Sequence, residues 1–268
     1  MNGSERRTID RRGMVLQERD RHVLRELAVM RVIDREQAKI IGGFGSGSRT
    51  NRRLHQLTRS GLLKRFFLGT SAAGRKALYS LSAAGARSVD APYRGLQRRN
   101  DEVLATDHFV QHQLTVNQVY CVLKYRPIPN ADATFHRWIP FFQSISSGLR
   151  LIPDGYFEID LPSGVLAAFL EVDLGGEPLR VWQDKVRNYL QLALSGEFER
   201  RFGQFRFRVL VVANSERRMR TIRKTVSTMT EKIFWFSNLE LIQGAGFFQP
   251  IWLRAGTDEK QSLIRETP

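Results

Sequence analysis

The sequence predicts a two-domain α+β and α/β protein: a helical domain over residues 16–90 that closes in a β-hairpin, and a larger domain over 105–255 with a mixed sheet flanked by helices. Three observations carry this. A chain of 268 residues with 42% apolar content can fill two cores. Charge is divided unevenly: residues 1–100 hold 22 Lys and Arg against 8 Asp and Glu, and the remainder holds 20 against 19. The apolar pattern changes from helical spacing in the first part to short strand-like runs in the second.

Residues 1–15, with Arg6-Arg7 and Arg11-Arg12, show no periodicity and read as a flexible basic arm. From Gln17 to Arg31, Val23, Leu24, Leu27 and Met30 recur at helical spacing. Asp34 with Gln37 makes a capping box for a short second helix that packs through Ala38 and Ile41. The run from Gly42 to Gly47 breaks the chain, and Ser48 is expected to cap a third helix ending near Ser60. On that helix Arg49, Arg52, Arg53, Gln56 and Arg59 fall on one face, flanked by Asn51 and His55, while Leu54 and Leu57 face the other way. Two strands, 62–68 and 77–81, then flank a basic tip; Lys64, Arg65, Arg75 and Lys76 belong to this hairpin. Three helices and a hairpin in this order make a winged helix-turn-helix, whose third helix would enter the major groove of duplex DNA. A face of arginines on one helix is also what a solvated surface shows; the order of the elements favours DNA.

Residues 91–104, with Arg94, Arg98 and Arg99 around Pro92 and Gly95, read as a linker. A helix over 106–125 follows, carrying His108 and His112 one turn apart; without a third ligand nearby they read as packing residues. Strands are expected at 134–140, 149–159, 165–173 and 205–213, helices at 177–195 and 215–232, and edge strands at 233–236 and 250–253. The 205–213 run, β-branched at its end, reads as central. Residues 256–268 are a polar tail.

Glu171 and Asp173 alternate with Leu170 and Val172, so both point to one face of their strand. Asp154, after Pro153 on the neighbouring strand, would join them in an oxygen cluster suited to Mg²⁺ or Mn²⁺. Lys185 and Tyr189, one turn apart on the next helix, lean toward the same sheet end. The same carboxylates also fit a purely structural role, capping a helix or neutralising an arginine.

The residues Ile152-Pro-Asp154-Gly-Tyr-Phe, Phe169-Leu-Glu171-Val-Asp173 and Lys185-Val-Arg-Asn-Tyr189, behind a winged helix, resemble the replication-relaxation family of plasmid and mobile-element proteins. The second half is also similar to the PD-(D/E)XK nuclease superfamily. That resemblance implies metal binding through Asp154 and Glu171 and a catalytic lysine. Asp173 stands where the superfamily has lysine, and Lys185, on the following helix, is the candidate replacement.

The expectation is therefore a DNA-binding protein of a plasmid or mobile element with a site for metal-dependent cleavage, Glu171 and Lys185 being catalytic and Asp154, Glu171 and Asp173 holding Mg²⁺ or Mn²⁺. The alternative is a non-enzymatic DNA-binding factor in replication control, mobilisation or transcription. RNA or a protein alone fits less well, because the basic face lacks interleaved aromatics. Double-stranded DNA is the expected partner, with other replication or mobile-element proteins and a homodimer left open. Apolar runs are too short for a membrane helix, and the single Cys121 excludes an internal disulfide. Both point to a cytoplasmic protein associated with the bacterial nucleoid.

Overall fold

The computed structural model describes residues 15–69, 74–96 and 98–264; the basic arm before Val15, the hairpin tip at 70–73 and the end of the tail lie outside the described residues. Among the described residues the chain is mixed α/β, with nine helices and two mixed sheets. It divides into two compact units, Met1–Cys121 and Val122–Pro268.

The first unit contains α1 (Glu18–Met30), β1 (Ile33–Asp34), α2 (Arg35–Ile41), α3 (Gly47–Arg59), β2 (Leu63–Gly69), β3 (Arg75–Leu81), α4 (Ala83–Ser88), β4 (Val103–Leu104) and most of α5 (His108–Tyr125). The stripe Val23, Leu24, Leu27 and Met30 is buried. The capping box of α2 forms as expected: Gln37 N donates to Asp34 Oδ1 at 2.8 Å, and Asp34 N to Gln37 Oε1 at 3.3 Å. The cap of α3 is Ser46 rather than Ser48; its extended backbone lets Oγ accept from Arg49 N at 3.3 Å, whereas Ser48 already lies in the first turn. The four strands order β1-β3-β2-β4, with β2 and β3 paired from Leu63↔Leu81 to Gly69↔Arg75. The sequence did not anticipate β1, α4 or β4. Two of these are two-residue strands, too short for a period to register, and β4 pairs in parallel with β2 inside the stretch read as a linker. Helix α5 is bound into this unit: Asn117 Nδ2 donates to Met30 O at 3.0 Å and to Val32 O at 2.6 Å, and Tyr120 OH donates to Glu26 at 2.7 Å.

The second unit contains β5 (Thr134–Ile139), β6 (Gly155–Leu161), β7 (Gly164–Asp173), α6 (Leu179–Leu194), α7 (Glu197–Phe202), β8 (Arg208–Ala213), α8 (Glu216–Ser227), β9 (Phe234–Asn238), α9 (Leu239–Gly244), β10 (Trp252–Arg254) and β11 (Lys260–Gln261). Its sheet runs β11-β10-β9-β8-β7-β6-β5, with β7, β8 and β9 parallel and the outer pairs antiparallel. Strand β8 is central, as its apolar run predicts. The expected edge strand at 233–236 is instead interior, since β9 lies between β8 and β10 and Phe234 and Phe236 are fully buried. On one face Ala167, Phe169, Val209, Val211, Phe234 and Phe236 pack against Trp182, Val186, Tyr189 and Leu192 of α6 and Met219, Ile222 and Val226 of α8. The packing stripe of α6 thus sets which of its side chains reach the end of β7. Strand β6 begins at Gly155, where a Cβ would stand 2.1 Å from the Trp138 ring; only glycine lets the chain pass there directly after Asp154. No described helix is long and apolar enough to cross a membrane.

Candidate functional site

Two places gather the side chains singled out by the sequence, one in each unit. In the second unit, Asp154 is tied to the end of β7: its N donates to Leu170 O at 3.1 Å and its Oδ2 accepts from Val172 N at 2.6 Å. Glu171 and Asp173 point to the α6 face, as the period of two requires, and both are buried. Glu171 Oε1 accepts from Tyr189 OH at 2.6 Å, and Oε2 from Lys185 Nζ at 2.9 Å. Lys185 also meets both oxygens of Glu177, at 2.9 and 3.1 Å. Asp154, Glu171 and Lys185 are therefore brought together.

Asp173 is engaged differently. Arg218 of α8 grips it bidentately, Nε on Oδ1 and a terminal nitrogen on Oδ2, each at 2.8 Å. Trp182 Nε1 donates to Oδ2 at 2.9 Å and Gly175 N to Oδ1 at 2.7 Å. Sequence reasoning missed Arg218, Trp182 and Glu177. Arg218 stands 45 positions from Asp173, and nothing local marks it.

Burial pushes the Glu171 carboxyl up to about 7, against the pull of the Lys185 ammonium, and the nearby Asp154 charge adds to the rise. Burial also opposes the Lys185 charge, but Glu171 and Glu177 outweigh it and hold the ammonium above its ordinary pKa. For Asp173, burial is overcome by Arg218, Trp182 and Gly175, which hold its carboxyl below the usual range. Tyr189 is raised well above the phenol value by burial and by Glu171.

These contacts bear on the expected metal. Both oxygens of Glu171 and both of Asp173 are taken by internal donors, two of them cationic, and no group of three His, Cys, Asp or Glu side chains among the described residues is arranged to hold an ion. The residues as placed do not fit a divalent cation. Beside Lys185 lies an open hollow of about 610 Å³, with Arg150 and Arg187 at its rim.

In the first unit, α3 buries Thr50, Leu54 and Leu57 and exposes Arg49, Asn51, Arg52, Gln56 and Arg59. Arg49 and Arg52 form no ion pair among the described residues. They border a hollow of about 410 Å³ with Arg19, Phe44 and Gln56, and the Arg19 guanidinium stacks 4.8 Å from the Phe44 ring. Arg53, one position on, turns inward: Nε donates to Asp20 Oδ1 at 2.7 Å, and a terminal nitrogen to Val15 O at 3.0 Å. The Asp20 side chain is fully buried, so Arg53 ties α3 to the start of α1. On the hairpin, Arg65 pairs with Asp101 at 2.6 Å and Lys76 with Asp34, whereas Lys64 and Arg75 form no ion pair among the described residues.

A family model described as replication-relaxation matches residues 21–206. No curated protein and no solved structure matches the chain.

Proposed function

The chain belongs to the replication-relaxation family, and on that premise we propose that it is a double-stranded-DNA-binding factor acting in the replication or relaxation of a plasmid or other mobile element. The first unit is read as a winged helix-turn-helix, with α3 as the helix that enters the major groove and the β2–β3 hairpin as its wing. One observation carries the reading. Arg49 and Arg52 stand exposed, with no ion-pair partner among the described residues, beside Asn51 and Gln56, on a helix whose opposite side is seated on the core. Leaving such a surface without counter-charge favours a polyanion partner.

The second unit is read as a PD-(D/E)XK-like domain in which the lysine has moved to α6 and the acidic end of β7 is neutralised from within. Lys185 and Arg218 supply the positive charge that a metal would bring, and they do so at fixed positions. That arrangement supports a non-cleaving domain kept for architecture or for DNA contact.

Fluorescence anisotropy with labelled duplex tests the first half. Arg49→Ala and Arg52→Ala should each weaken binding and lower the slope of log affinity against log salt by about 1. Unchanged slopes in both variants would remove α3 from the interface. Incubation of supercoiled and linear DNA with the protein and Mg²⁺ or Mn²⁺ tests the second half. Cleavage that disappears in Glu171→Ala would overturn the non-cleaving reading and leave the DNA-binding one intact.

A further inference from the structure

A pocket of the second unit with partly apolar walls is separate from the acidic site. It lies where β7, β8 and β9 begin, at the opposite end of β7 from Glu171, about 20 Å away along the strand. Its volume is about 580 Å³, within the range of small-molecule sites. Leu166, Phe207 and Ile233 form its walls, and Phe205 at its mouth is 82% exposed.

Three arginines converge there, Arg206, Arg208 and Arg254, and no carboxylate among the described residues lines the pocket. Arg208 and Arg254 both stack on Trp235, at 4.5 and 5.9 Å from the ring centroid. A terminal nitrogen of Arg208 donates to Leu263 O at 2.7 Å, and none of the three guanidinium groups forms an ion pair among the described residues. Burial and the neighbouring Arg254 charge hold the Arg208 guanidinium below its ordinary pKa. Elsewhere in this unit several half-buried cations are matched by an acid, Lys185 by Glu171, Arg218 by Asp173, Arg137 by Glu158 and Arg223 by Asp258. Crowding like charges at an apolar pocket without a counter-ion costs free energy that a bound anion would recover.

We propose that this pocket binds a nucleoside phosphate, its phosphate held by Arg206, Arg208 and Arg254 and its base laid against Phe205 and the apolar wall. Guanidinium forks match phosphate oxygens, and an exposed aromatic ring is a stacking platform for any base. Inorganic phosphate would satisfy the arginines but leave the wall and Phe205 unused. The nucleoside phosphate can come free in solution or at the 5′ end of a single strand, and both present the same groups.

Isothermal titration calorimetry on the full chain tests this with four probes: inorganic phosphate, thymidine, thymidine 5′-monophosphate and a 5′-phosphorylated tetrathymidylate. The monophosphate should bind more tightly than either phosphate or thymidine. A further gain with the tetranucleotide identifies the strand end as the source, and equal affinity identifies the free nucleotide. Arg208→Gln and Arg254→Gln should each weaken binding about tenfold or more. Phe205→Ala should weaken the nucleotide about tenfold and leave inorganic phosphate unaffected. Arg254 and Phe205 are both exposed, so their variants keep the fold if Arg208→Gln does not. No binding of either nucleotide, or affinity undiminished in the two arginine variants, overturns the proposal. So does inorganic phosphate binding as tightly as the monophosphate. None of these probes is duplex DNA, so this result and that for α3 stand or fall separately.

Discussion

Arg52 and Arg53 are adjacent on α3, yet one is exposed without an acidic partner among the described residues and the other is clamped on a fully buried Asp20. The contrast extends to the two sites. At α3 the cations Arg49 and Arg52 face solvent, whereas at the end of β7 the cations Lys185 and Arg218 face inward onto Glu171 and Asp173. A guanidinium held by a buried carboxylate is part of the architecture, because leaving it would strand the acid; an unpaired one is available to a ligand. Net charge counts both kinds alike. What separates them is the partner, and the partner is a matter of tertiary structure.

The largest effect should come from breaking the inward pairs. Arg218→Ala leaves Asp173 buried without its bidentate partner, and Arg53→Ala does the same to Asp20; each should cost about 3–5 kcal/mol, read from urea unfolding monitored by circular dichroism. Stability within about 0.5 kcal/mol of the parent in both variants would erase the distinction between paired and unpaired arginines. Arg49→Ala and Arg52→Ala are the opposite case, with unfolding midpoints unchanged and the whole effect in DNA affinity and its salt dependence.

The third test concerns Glu171, whose folded pKa of about 7 lies above its ordinary value of 4.5. The folded state therefore binds more protons between these values. The stability this group contributes is fully present below its unfolded pKa and is lost as pH rises through about 7. Glu171→Gln should remove that component, so the stability difference between parent and variant should slope across this interval and flatten above it. A difference that is level with pH would mean that Glu171 stays ionised throughout. The smallest effect is expected at the exposed hairpin pair: Arg65→Ala, losing Asp101, should change stability by about 0.2–1 kcal/mol, diminishing with added salt.

Periodicity and local chemistry make much of the molecule legible. The apolar stripe of α1, the reciprocal Asp34–Gln37 cap, the alternation that turns Glu171 and Asp173 to one face, and the reach of Lys185 toward Glu171 all follow from residues within 14 positions of one another. The short strands β1 and β4 escape because two residues carry no period, and each exists only because a neighbour accepts its backbone. The interior place of β9 depends on β10 pairing beyond it. Arg218, Asp20 and the hydrogen bonds of Asn117 into the end of α1 lie 33 to 87 positions from their partners, beyond any local pattern.

The sequence by itself determined where charge is concentrated, which faces of α3 and α6 are apolar, and which carboxylates end β7 side by side. Only the tertiary structure decided which of those charges remain available. Burial makes an unpaired ion expensive, so Asp20 and Asp173 each recruit a distant cation, while other cations face solvent or gather, like Arg206, Arg208 and Arg254, at a pocket without a counter-ion among the described residues.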